Sequence, residues 1–259
     1  MYLFDIDGTL LLTGGSGSIA INQLFEERFG VSGVMNSISA GGKTDGMIFQ
    51  ECARNNIERA LTEVEVASMI AAYLPMLHIE LQRAPKFRLM PYVRECMAFV
   101  AEVQKTVGIA TGNVEGAAMA KLERAQLRNY FHFGGYGCDS QIRPELVAKA
   151  MERGRAFVGK DLPNEEFVVV GDTLHDISAA RACGARVIAV ATGSASMEEL
   201  AAAAPDALFA TLEELPAWHH SEFVLGASLH HADSNREGVC GGHRNAASAG
   251  GKAQCTSGQ

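Results

Sequence analysis

Two aspartates, Asp5 and Asp7, stand one residue apart in the opening stretch MYLFDIDGTLL, after an apolar run and directly before Gly8. A lone aspartate at a strand end is ordinarily a helix cap or a turn former. Two this close cannot both cap one helix, and like charges at that spacing repel unless a cation or a shared proton lies between them. Farther along, Thr111 closes TVGIAT and Asp172 closes FVVVGD, each after a short apolar run. In an open parallel sheet, ligands bind beyond the carboxyl ends of the strands. Asp5, Thr111 and Asp172 are therefore predicted to converge on one crevice. A hard divalent cation such as Mg²⁺ prefers carboxylate oxygens and keeps several waters for a phosphate, and Asp5 and Asp172 could supply such carboxylates.

Positioning these residues requires a particular order of elements. YLFDI, TVGIAT (106–111), FVVVGD (167–172) and RVIAV (186–190) read as short buried strands. FHFGGYG (131–137) and ALFATLEEL (207–215) are expected to add two more. Helical patterns lie between them at 91–103, 114–127, 144–157 and 176–184. Alternating strands and helices imply a doubly wound, Rossmann-like α/β core with a parallel sheet. From Gly14 to Arg88 the alternation stops. Ile21, Leu24, Phe25 and Phe29 recur at helical spacing before Gly30; a second helix begins near Thr44; Thr62 and Glu65 form a capping box ahead of a third. The predicted organisation is a core from 1–13 and 89–218, an all-helical cap from 14–88, and a tail from 219–259. Gly14, Gly15 and Gly17 form one joint of the cap, and Pro85 to Pro91 the other.

Composition narrows the classes. A formal charge of −8 argues against nucleic acid as a main partner. Six cysteines without a CxxC pair read as reduced thiols, which suits a cytoplasmic protein. No uninterrupted apolar run approaches a membrane span and no leader pattern opens the chain, so no membrane partner is expected. The tail holds five of the eight histidines and seven glycines with little apolar periodicity, and reads as disordered. The alternative there is a metal site drawn from His230, His231, Cys240, His243 and Cys255, whose spacing matches no familiar zinc pattern.

DIDGT, then TGN, then a basic residue, then GDTLHD, in this order over residues 2–215, resembles the haloacid dehalogenase superfamily. The helical insertion after the first motif is similar to the cap of its phosphoglycolate phosphatase-like members. The resemblance implies a Mg²⁺-dependent phosphatase acting on a small phosphorylated metabolite. Asp5 would be the nucleophile that forms an aspartyl-phosphate. Asp7 would protonate the leaving alkoxide and then activate water. Thr111, Gly112 and Asn113 would hold phosphate oxygens. Asp5, Asp7 and Asp172 would form the metal site, with Asp176 buttressing it or binding a metal-held water. Asp7 favours a phosphate ester, because the dehalogenase and phosphonatase branches lack an acid at this position. A phosphomutase keeps both aspartates. A catalytically idle binding or scaffold member would have no need of the full acid set.

One motif departs from the family. Where a lysine precedes proline in the common pattern, QIRPEL places Arg143 before Pro144. Arginine keeps the charge and adds a planar fork, so Arg143 is the predicted phosphate-side cation, with Lys149 the lesser candidate. In the insertion, AGGKTDG (40–46) sets Lys43, Thr44 and Asp45 at a helix start, where an anion or a polar substrate group could dock. His175 reads as a helix-surface residue and Trp218 as a packing residue. The sequence indicates no oligomeric state.

Overall fold

The computed structural model describes residues 1–104 and 106–225. Met1–Pro216 form one compact unit. Its sheet has six parallel strands: β1 (Tyr2–Phe4), β4 (Val107–Ala110), β5 (Phe131–Gly135), β6 (Val168–Gly171), β7 (Arg186–Val190) and β8 (Ala207–Phe209), with β2 (Leu11–Leu12) and β3 (Arg88–Leu89) outside it. The spatial order is β5-β4-β1-β6-β7-β8. The chain builds outward from β1 through β4 to β5, then crosses back to β6 on the other side. That reversal places the switch point at β1, in the middle of the sheet. Every residue of β1, β4 and β6 is buried, as the apolar runs require of strands covered on both faces. Phe4 registers with Ile109 on one side and Val170 on the other. Asp5 thus leaves the sheet level with the ends of both neighbours.

The helices are α1 (Ser16–Phe29), α2 (Asp45–Ile57), α3 (Glu63–Arg83), α4 (Val93–Val103), α5 (Glu115–Arg124), α6 (Arg143–Val158), α7 (Leu174–Ala182), α8 (Met197–Ala202) and α9 (Leu215–His219). Leu146, Val147 and Ala150 of α6 and Ile177 and Ala180 of α7 pack with Leu3, Val169 and Val187 on one face of the sheet. Tyr2 and Phe4 alternate with Leu3 and so face the opposite side, where the Phe4 ring meets Phe131 edge-on.

Helices α1 to α3 fill the insertion, as their periodicity predicts. Gly30 ends α1 in the left-handed conformation, and the Thr62–Glu65 capping box opens α3. Phe25, Phe49, Tyr73 and Leu77 join their faces in a core of their own, which extends onto Val114 and Ala117 at the start of α5. By length and composition α3 is apolar enough to cross a membrane. Here Met69, Tyr73, Leu77 and Leu81 are instead buried within this helical layer.

The sequence reading missed one feature of the joints. Leu11 and Leu12 pair antiparallel with Leu89 and Arg88, so β2 and β3 tie the entry and exit of the insertion together. Two-residue strands are too short to carry a period. Gly14 (φ +69°) lies so close to Lys86 that a Cβ would collide with its backbone.

A second unit spans Ala217–Gln259, of which residues through 225 are described. Trp218 packs edge-on against Phe223 at 5.8 Å. The tail's candidate metal ligands, His230, His231, Cys240, His243 and Cys255, lie outside the described residues.

Candidate active site

The crevice at the carboxyl end of β1 opens into a cavity of about 180 Å³ whose walls include Asp5, Asp7, Thr111, Asn113, Lys121 and Arg143. Asp5 is anchored by its backbone, which donates to the Val170 carbonyl at 2.9 Å. Its Oδ2 lies 3.1 Å from Nη2 of Arg143. Burial pushes the Asp5 carboxyl up to about 6, against the opposing pull of Arg143. Asp172 is pushed up to about 8 by burial and by the charges of Asp5 and Asp176. Its Oδ1 accepts from the Thr9 hydroxyl at 2.9 Å.

The carboxylates that come together are Asp5, Asp172 and Asp176, whose candidate ligand atoms all lie within 4.8 Å of one another. This differs from the expected set of Asp5, Asp7 and Asp172. The Asp7 carboxylate is drawn elsewhere: its Oδ2 accepts from Nζ of Lys121 at 2.6 Å and from Nδ2 of Asn113 at 2.7 Å. Asp176 has two tasks. It closes the N-terminal capping box of α7 through Thr173, and its Oδ1 accepts from Nε (3.1 Å) and Nη2 (2.6 Å) of Arg143. Of these three buried carboxylates only Asp5 and Asp176 pair with Arg143, which leaves excess negative charge, and an all-oxygen donor set with that charge fits a hard divalent cation.

Close backbone approach shapes this cluster. Gly8 has φ +86°, and a Cβ there would strike the Asp172 carboxylate. Gly8→Ala is therefore expected to destabilise the protein by about 1–3 kcal/mol through strain alone, and to displace Asp172. Denaturant titration checks the first effect. A Gly8→Ala protein as stable as the parent would show that the turn relaxes.

Arg143 opens α6, with Ile142 at the N-cap and Pro144 in the first turn. It is 8% exposed, and Asp176 and Asp5 together outweigh the cost of its burial, so the guanidinium is held above its ordinary range. Lys149 lies on the outer face of α6 and pairs with Glu152 at 2.9 Å, away from the cavity. Thr111 is wholly buried and its hydroxyl accepts from Nδ2 of Asn113 at 2.9 Å. Gly112 lies under the 40–46 loop, so tightly that a Cβ would meet the Lys43 carbonyl.

The inserted layer closes over the site through this loop. Asp45 N–H donates to the Gly112 carbonyl at 3.0 Å. The Asp45 Oδ2 accepts from the Val114 N–H at 2.7 Å. Nη1 of Arg143 reaches the Gly42 carbonyl at 3.4 Å, and the His175 ring packs against Gly42. Thr44 does not line the cavity: its hydroxyl caps α2 by accepting from the Met47 N–H at 3.3 Å. Lys43 lines it but is paired with Glu51.

Lys121 and Tyr73 were not singled out by the sequence reading, whereas Asp45 was, at the helix start of AGGKTDG. Lys121 is 6% exposed and also donates to Oδ1 of Asn113 at 2.5 Å. It sits in the pattern VEGAAMAKLERAQL as one more charged helix position. Its only sequence signal is its place on the buried side, one turn from Ala117 and Ala118.

The sequence matches the family model for haloacid dehalogenase-like hydrolases over residues 2–190. Among curated proteins it is 28% identical over 240 residues to "Probable phosphatase IndB" of Dickeya dadantii (strain 3937), a match covering 88% of this chain and 96% of that protein. Among solved structures, CbbY from Rhodobacter sphaeroides, in complex with phosphate, superposes with a TM-score of 0.64 at 20% identity, covering 83% of this chain and 95% of that one. A predicted phosphoglycolate phosphatase from Haemophilus somnus 129PT superposes with a TM-score of 0.61 at 20% identity, covering 84% and 96%.

Proposed function

Because the chain belongs to the haloacid dehalogenase-like hydrolase family, we propose that it hydrolyses a small phosphomonoester through an aspartyl-phosphate on Asp5. The observation that carries this reading is the setting of Asp5. It stands at the sheet's switch point with a buried arginine on one oxygen, two further carboxylates beside it, and a second acid two residues on. The curated relative described as a phosphatase supports the reaction class.

In the first step an Asp5 carboxylate oxygen attacks phosphorus, and the ester P–O bond breaks toward the alcohol. Asp7 gives its proton to the departing alkoxide. In the second step Asp7 takes a proton from water, the water oxygen attacks the phosphorus of the acyl phosphate, and phosphate leaves with Asp5 restored. The Lys121 and Asn113 contacts hold the Asp7 carboxyl at the cavity wall for both transfers. Arg143 balances charge on the phosphoryl oxygens, and Thr111 with the 112–113 backbone forms the rest of that cradle. Asp5, Asp172 and Asp176 would hold Mg²⁺, which when bound neutralises phosphoryl charge. Residues 14–88 act as the cap over a core of 1–13 and 89–218, and the closed loop at 40–46 keeps bulk water out. A small phosphorylated metabolite in the cytoplasm fits a cavity of this size better than a phosphoprotein.

Phosphate release from a panel of small esters tests the reading. Turnover should vanish in excess chelator and return with added Mg²⁺. Mg²⁺ should also raise the melting temperature of the chelated protein, by screening three buried carboxylates. Undiminished turnover in chelator would rule out the metal site.

A further inference from the structure

The cavity has a second wall, made by the inserted helices, on which the mechanism above does not draw. Tyr73, from the middle of α3, is 1% exposed and lines the cavity. Its hydroxyl has no hydrogen-bond partner among the described residues, whereas a buried tyrosine oxygen ordinarily finds one. Its oxygen is not sealed in: among the described residues the only fully enclosed side-chain polar atom without a partner is Oε1 of Gln104. Tyr73 thus offers an unused donor and acceptor to whatever fills the space. Beside it, Asp45 is 6% exposed; its Oδ2 is committed to Val114, and its Oδ1 has no partner among the described residues.

The charges around the cavity are unevenly matched. Arg143 is taken by Asp5 and Asp176, Lys121 by Asp7, and Lys43 by Glu51. Each of the three cations that line the cavity already faces a carboxylate. Asp45 is the acid on the inserted wall that makes no direct ion pair among the described residues; Lys121 attracts it but is in contact with Asp7. An incoming carboxylate would find no unengaged cation there and would face the like charge of Asp45 at close range, which is unfavourable. A hydroxyl would donate to Asp45 and exchange hydrogen bonds with Tyr73. Ile21, Met35 and Ile48 lie on the same wall and suit the carbon skeleton of a small alcohol.

We propose that Asp45 and Tyr73 read the alcohol half of the substrate, and select esters of neutral, hydroxyl-bearing alcohols over esters that carry a carboxylate. This rests on the phosphatase reading. It chooses within it, against a phosphoglycolate-like acid and for a polyol or sugar phosphate.

Two esters isolate the effect: glycerol 3-phosphate and 3-phosphoglycerate, alike except that a terminal CH₂OH in one is a carboxylate in the other. With the full chain and Mg²⁺, kcat/KM should favour glycerol 3-phosphate by about 100-fold or more. Asp45→Asn keeps an oxygen for Val114 and removes the charge, so the ratio should narrow by about tenfold. Tyr73→Phe should lower kcat/KM for glycerol 3-phosphate by about tenfold, mainly through KM. p-Nitrophenyl phosphate serves as a reporter of ester cleavage that carries neither group. If it is cleaved while 3-phosphoglycerate is preferred, or if Asp45→Asn leaves the ratio unmoved, the assignment of this wall is wrong and the phosphatase reading stands. If none of the three esters releases phosphate, the phosphatase reading fails and the selectivity falls with it.

Discussion

Asp5→Asn is expected to abolish phosphate release, by a factor on the order of 10⁶, the scale seen when a nucleophile is removed from an intact site. An amide oxygen at that place still fits between Thr111 and Arg143, so the loss should come without unfolding. Removing a buried charge whose carboxyl is already pushed up to about 6 should leave the protein at least as stable near neutral pH. The sign follows from linkage. A carboxyl raised in the folded state contributes stability below its unfolded pKa, and that contribution is lost as pH rises toward 6. Asparagine has no such loss. Asp7→Asn should behave differently. The nucleophile remains, proton transfer is impaired, and turnover falls by about 10²–10⁴-fold. Acid quenching during turnover should therefore trap phosphate on the parent and on Asp7→Asn, and none on Asp5→Asn. Phosphate trapped on Asp5→Asn would move the nucleophile to another residue.

The second large effect concerns the two buried cations. Arg143→Ala should lower turnover by about 10²–10³-fold, the usual cost of losing one preorganised group on a developing charge. It should also destabilise the metal-free protein, because Asp5 and Asp176 lose their shared partner; breaking a buried pair in this way costs about 3–5 kcal/mol. Arg143→Lys restores charge without the fork, so it should recover part of the turnover. Lys121→Met should give a comparable loss of turnover by another route, since Asp7 and Asn113 lose the ammonium between them. Circular dichroism and denaturant titration separate folding from chemistry in each variant. Lys149→Ala is the control: that ammonium is on the surface with Glu152 and should change turnover by less than about twofold, as for an exposed pair. A dead Lys149→Ala beside an active Arg143→Ala would overturn this assignment.

Much of the scaffold was legible in the chain itself. Runs such as VVVG can be buried only on both faces, and their alternation with helical patterns leaves a parallel sheet as the one economical packing. Polar residues directly after such runs must then collect at one edge, which is why Asp5, Thr111 and Asp172 could be grouped without coordinates. Local rules also sufficed for Gly30 as a helix stop and for Thr62 with Glu65 as a helix start, because caps are made by residues a few positions apart.

What sequence alone left undecided depended on direction and distance. Whether Asp7 or Asp176 joins Asp5 and Asp172 is decided by where each carboxylate points. That is set by a lysine 114 positions away in one case and an arginine 33 positions away in the other. Thr44 and Asp45 are neighbours at one helix start, yet the hydroxyl turns back to cap the helix and the carboxylate crosses to Val114. Only the descent of the inserted layer onto α5 chooses between them. Lys121 and Tyr73 sit in ordinary amphipathic helices, where a buried position reads as packing. They line one cavity because the helices that carry them, α3 and α5, pack together. Spacing along a chain determines which elements form and which ends they expose; which charged side chains share a low-dielectric space is settled when those elements pack.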